Sequence, residues 1–197
     1  FLLPEGIPML EKRLGLGPEA ARVTLMHHIA LCYDICHFAL AYESPKDVFP
    51  KLQNEGIRIG KVQVSAALKI RPEPEDRKKA LQTLQEFDEP VYLHQVTRRS
   101  EKGVVTYPDL PELLRDPGTF EELRAHFHVP VFADRYGLLE ATQPEILEVI
   151  EALKTEPLTR HLEVETYTWE VLPEGLKEDL ETSIAREMQW LKNAMES

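Results

Sequence analysis

Cysteine is nearly missing from this sequence of 197 residues: Cys32 and Cys36 are the only two, and both fall in one short apolar segment. A disulfide framework needs cysteines spread along the chain, so none is expected, and the pair fits a reducing, cytoplasmic setting. Their spacing is not the C-x-x-C of a zinc knuckle and no second pair exists, so they read as small buried hydrophobes. Long basic runs are also lacking, with only short groups such as Lys78-Lys79 and Arg98-Arg99 against a net charge of -11. Such a field repels phosphate backbones and anionic lipid surfaces, so no nucleic-acid partner is expected. The longest apolar stretch, around residues 25–40, is broken by His27, His28, Asp34 and His37, too polar for a membrane span, and no membrane insertion is expected.

Other absences narrow the chemistry. No G-x-G-x-x-G or P-loop turn follows any strand-like run, which removes the usual reason to expect a nucleotide-binding sheet. There is no G-x-S-x-G elbow and no H-E-x-x-H pair, so serine hydrolase and zincin chemistry have no support. An initiator Met and a basic leader are missing too, and with Phe1 in first place the amino terminus reads as cut.

What is present is a soluble composition, 43% hydrophobic and 29% charged, enough for one domain with a core over residues 1–197. Helical spacing is expected over residues 2–14 and 18–27, from Ser44-Pro45 to Gly56, and over 74–87, 108–114, 143–154 and 173–195. Strand-like runs lie at 29–34, 59–67, 91–97, 124–132 and 160–167, with 103–107 as a hairpin arm or extended loop. Strands separated by helices imply parallel pairing, hence a β/α architecture, with an open doubly wound sheet as one form; the form expected is the carboxy-terminal part of a (β/α)8 barrel, a fold of about 250 residues, whose first half is absent.

Most of these strands end in polar side chains, and the carboxyl end of a β/α strand is where such folds place active groups. In Leu31-Cys-Tyr-Asp-Ile-Cys-His37, Asp34 closes a strand and His37 follows three residues on, a carboxylate and an imidazole suited together to Zn, Mn, Co or Fe. The plainer alternative makes Asp34 a helix cap and His37 a helix-start residue. Glu163 and Glu165 alternate with Leu162 and Val164 and share one side of a strand, where burial demands a cation, either a metal or structural partners such as Lys61 or Arg124. His126 and His128 share a face, as do Gln63 and Ser65, and His94 sits within its own strand-like run, where a lone histidine is often structural.

In order, LCYDICH, KVQVSAALKIR, VYLHQV, RAHFHVPVF and HLEVETYTWEVLP resemble the xylose isomerase-like TIM-barrel superfamily of sugar-phosphate isomerases and epimerases, and within it the metabolite traffic branch, EboE. The likeness runs from about Pro18 to Trp190. It implies a divalent metal held by Asp34, His37 and Glu165, with Glu165 and His37 as catalytic groups for proton transfer, and Gln63, His94, His126 and His128 around a small polar metabolite. Where the superfamily carries a histidine on the strand after D-x-x-H, this sequence has Gln63, a poor ligand, and a further glutamate would precede Phe1. The resemblance also implies a metabolite traffic or processing pathway, other proteins of that export pathway as partners, and the missing half barrel as a structural one. Two other functions share these features: a non-catalytic metabolite-binding or scaffold barrel, suggested by Gln63, and an abasic-site endonuclease, opposed by the acidic charge.

Overall fold

The computed structural model describes residues 2–88, 93–166 and 179–197. The chain opens with two packed helices, α1 (Leu2–Leu14) and α2 (Pro18–His28), the second started by a proline at its first turn, where no N–H partner is needed. Then come β1 (Leu31–Asp34), α3 (Ile35–Leu40), α4 (Pro45–Asn54), β2 (Ile59–Val64) and β3 (Ala66–Ile70). Ser44 caps α4 by accepting from the Lys46 N–H, and Gly56 ends the segment at φ 69°, as the sequence leads one to expect. A 3-10 turn, Pro74–Asp76, leads into α5 (Arg77–Gln85), followed by β4 (Val96–Ser100), β5 (Gly103–Tyr107), α6 (Leu110–Arg115) and β6 (Glu122–Val129). The remainder is β7 (Arg135–Tyr136), β8 (Leu139–Ala141), α7 (Gln143–Thr155), β9 (Leu162–Val164) and α8 (Leu180–Glu196).

The described residues form a mixed α/β structure with two sheets. Strands β1, β2 and β9 form a three-stranded parallel sheet in the order β1-β2-β9, the pairing expected of β/α units. The other six form an antiparallel sheet, β5-β4-β6-β3-β8-β7, which corrects the expectation of parallel pairing throughout. No closed barrel is present among the described residues. The reason lies in the run at 59–67. It reads as one buried strand, but Ser65 interrupts it, so that β2 runs in the parallel sheet and β3 in the antiparallel one. Two hairpins complete the second sheet: β4 with β5, and β7 with β8, where Gly137 takes φ 64° in a two-residue turn.

Other segments shift. The expected strand at 91–97 begins only at Val96, with residues 91 and 92 outside the described residues. The one at 124–132 runs over Glu122–Val129, two residues early at its start and ending before Pro130. Of the strand at 160–167 only Leu162–Val164 is strand, with Tyr167 outside the described residues. The last helix is described from Leu180, residues 173–178 lying outside.

The core unites both sheets through Tyr33, Val62, Val64, Leu68, Ile70, Leu123, Phe127 and Val129, all buried. Alternation along β6 splits its side chains. Leu123, Ala125, Phe127 and Val129 join the apolar core, where Phe127 meets Phe87 edge-on at 5.0 Å, whereas Glu122, Arg124, His126 and His128 look toward α3 and α7. Arg124 is buried between Glu122 (2.6 Å) and Glu145 (2.8 Å), so its charge is compensated within the fold.

Candidate functional site

The two sheets meet at Ser65, and the polar residues expected from the sequence collect at that seam. Strand alternation puts Cys32 and Asp34 of β1, Lys61 and Gln63 of β2, and Glu163 of β9 on one side, while Tyr33, Val62 and Val64 enter the core. The parallel register sets Asp34 beside Gln63 and Gln63 beside Glu163. Glu165 lies just past β9, its N–H held by the Val64 carbonyl at 3.1 Å. The carboxyl ends of three parallel strands therefore deliver Asp34, Gln63 and Glu165 to one place, as the β/α rule requires.

Strand β6 arrives from the other sheet. Val129 pairs with Ala66, immediately beyond Ser65, and His128 Nδ1 reaches the carbonyl oxygen of Glu165 at 2.9 Å. The nearest ligand atoms of Asp34, His128 and Glu165 all lie within 4.8 Å of one another. His126 Nε2 stands 3.0 Å from His128 Nε2, and its ring centroid 4.4 Å from that of His37. Asp34 accepts a bond from the Ser65 hydroxyl at 2.9 Å, and its Oδ1 caps α3 by accepting from the His37 N–H at 3.4 Å. The capping alternative and the site alternative thus describe the same side chain. The Gln63 amide donates to Glu165 Oε2 at 2.5 Å and its oxygen accepts from the Cys32 thiol at 2.8 Å.

Six of the residues singled out in the sequence come together here: Asp34, His37, Gln63, His126, His128 and Glu165. His37 is set apart within the group. Its side chain is 53% exposed, with Nε2 3.9 Å from Asp34 Oδ2, so it stands at the mouth while His128 takes the inner place beside the two carboxylates. His94 does not join them. It is buried against Phe127 on the apolar side of β6, with Nδ1 3.2 Å from the His126 carbonyl and its N–H bonded to Asp109 at 2.8 Å. Glu163 also leaves the group, pairing with Lys61 at the surface. Cys36 was read only as a core residue, yet its Sγ lies within 4.8 Å of both His126 and His128. A thiol in an apolar heptapeptide gives no spacing that would reveal this, since β6 supplies the other two groups.

The electrostatics suit a cation. Burial, the nearby Asp34 and Glu163 raise the Glu165 carboxyl above its usual value. Burial, then the neighbouring His128 and His37, push His126 down to about 4, and burial lowers His128 as well. At neutral pH the inner imidazoles are neutral and offer lone pairs, while two acids crowd together, an arrangement a divalent ion would relieve. A separate cleft of about 400 Å3, lined by Phe49, Pro50, Gln53, Ala152 and Glu156 among others, lies between α4 and α7 and holds none of these groups.

No family model, no curated protein and no solved structure matches this chain. The likeness to xylose isomerase-like barrels therefore rests on the residue strings alone. No helix among the described residues is long and apolar enough to cross a membrane.

Proposed function

We propose that the protein binds one divalent metal through Asp34, His128 and Glu165 and acts on a small polar metabolite by isomerase- or epimerase-type proton transfer. One observation carries the reading: three side chains from β1, β6 and the end of β9, remote in sequence, bring two carboxylates and an imidazole within 4.8 Å. Oxygen and nitrogen donors in this mixture suit Mn, Zn, Co or Fe, and three protein ligands leave positions for a substrate. A metal held there would supply Lewis-acid polarisation of a substrate carbonyl or hydroxyl. The protein's own groups do the rest. Ser65 orients Asp34, Gln63 orients Glu165, and the exposed His37 at the mouth is placed to take or give a proton.

The finer fold proposed is a xylose isomerase-like TIM barrel, with further strands along the outer edges of β1 and β9, which pair on one side only among the described residues. In that arrangement the face bearing Asp34, Gln63 and Glu165 lines the lumen. A cytoplasmic metabolite traffic pathway, with partner proteins of that pathway, is the setting the sequence resemblance supports.

Apo protein is expected to take up close to one equivalent of Mn2+, read by electron paramagnetic resonance, and Asp34→Ala with Glu165→Ala is expected to take up none. Unchanged Mn2+ uptake in a folded double variant would reject the site. A second reading, a binding or scaffold protein without chemistry, is favoured by Gln63, whose amide engages Glu165 where the superfamily has an imidazole. Transfer of deuterium from solvent into the C–H positions of any sugar or sugar phosphate in a panel distinguishes the two, since a scaffold catalyses none.

A further inference from the structure

The Nε2 atoms of His126 and His128 stand at hydrogen-bond distance, 3.0 Å, so a proton lies between them, and its side is assigned from their other partners. His128 Nδ1 faces the carbonyl oxygen of Glu165, an acceptor only, so the proton is assigned to Nδ1 and the Nε2 of His128 carries a lone pair. His126 Nε2–H then donates to it. Moving that proton to His126 Nδ1 turns both Nε2 atoms into donors toward one point. Cys36 completes the group: its Sγ and one ring nitrogen of each histidine lie within 4.8 Å of one another.

All three side chains sit on well-held backbone. His126 and His128 share one face of β6, which is paired on both sides, by β4 and β3. Cys36 is fully buried in the first turn of α3, and its N–H is fixed to Ser65 Oγ at 3.1 Å. Rigid placement of a thiol and two imidazoles is what a site for thiophilic metals needs.

We propose that Cys36, His126 and His128 form a second metal site, for a soft or borderline ion such as Zn2+, that overlaps the carboxylate site through His128. One His128 Nε2 lone pair serves one ion, so the two sites exclude each other. A hard ion such as Mn2+ uses Asp34 and Glu165, and a thiophilic one uses Cys36 and His126. The competition rests on the carboxylate reading above; the thiolate site does not. Binding there releases the Cys36 proton to solvent, and nothing is oxidised or reduced.

The probe is Co2+, added to reduced apo protein of the full chain. A sulfur-to-cobalt charge-transfer band is expected in the near ultraviolet, lost in Cys36→Ser and His126→Gln but kept in Asp34→Asn with Glu165→Gln. Absence of the band in folded wild type, or its survival in Cys36→Ser, overturns the site. Cys36→Ser should keep the far-ultraviolet circular dichroism and thermal transition of a folded protein, which shows loss of the band to be local. Zn2+ should expel bound Mn2+ one for one, and two ions bound together would overturn the shared histidine. If Mn2+ fails to bind while the cobalt band forms, the carboxylate reading falls and the thiolate site stands.

Discussion

Asp34 does two things with one carboxylate: Oδ1 accepts from Ser65 and caps α3, while the side chain faces His128 and Glu165. That double use is why D-x-x-H looks ambiguous in sequence, since a helix cap and a ligand call for the same residue at the end of the same strand. The strand ends made Asp34, Gln63 and Glu165 legible, and alternation made the His126 and His128 pair legible. His94 stood apart only as a lone histidine, a kind often structural, and its burial against Phe127 is decided by which side of β6 the chain crosses. The same histidines set an acid response. With its folded value held at about 4 against an ordinary 6.5, His126 binds fewer protons folded than unfolded between those values. Its contribution is complete above pH of about 6.5 and is lost as pH falls toward about 4. The raised Glu165 and Glu187 act with opposite sign, their folded states holding more protons, so stability from them declines as pH rises above 4.5. Replacing His126 with Gln isolates its part: the urea midpoint of apo His126→Gln is expected to fall less than that of wild type on going from neutral to mildly acid pH.

At the scale of elements, one buried carboxylate ties the last helix to the sheet. Glu187 on α8 accepts from the Val131 N–H at 3.0 Å and from the Thr166 hydroxyl at 2.7 Å. Burial raises its carboxyl, with these two bonds pulling the other way. Glu187→Ala leaves the Val131 N–H without its partner and is expected to cost about 2 kcal/mol, lowering Tm, whereas Glu187→Gln, which can still accept both bonds, should cost less. Thermal unfolding by circular dichroism compares them, and equal loss in both would show that the charge rather than the accepting oxygen matters. The helices were legible from periodicity and caps, as Ser44-Pro45 illustrates. Strand direction was not. An apolar run such as 59–67 fits parallel or antiparallel pairing equally, and the division at Ser65 shows only once its hydroxyl is seen bridging Asp34 and the Cys36 N–H.

Across the whole molecule, the net charge of -11 bears on partners more than on fold. Basic side chains that would steer a duplex are partly used inside the protein, with Arg124 and Arg99 on Glu122 and both guanidinium groups over the Tyr42 ring. An abasic-site duplex is therefore expected to remain uncut and unbound at low salt in the presence of Mn2+, measured by strand cleavage and mobility shift; cleavage lost in Asp34→Ala would restore the endonuclease alternative. By itself the sequence determined the helices, the polar strand ends and the acidic surface, because periodicity, capping chemistry and charge are local or additive. Tertiary structure alone decided that His126 and His128 reach the site from an antiparallel strand. A strand's partners and direction depend on long-range register, which no short stretch of residues encodes, and only that register sets His128 beside Glu165 and Cys36 beside His126.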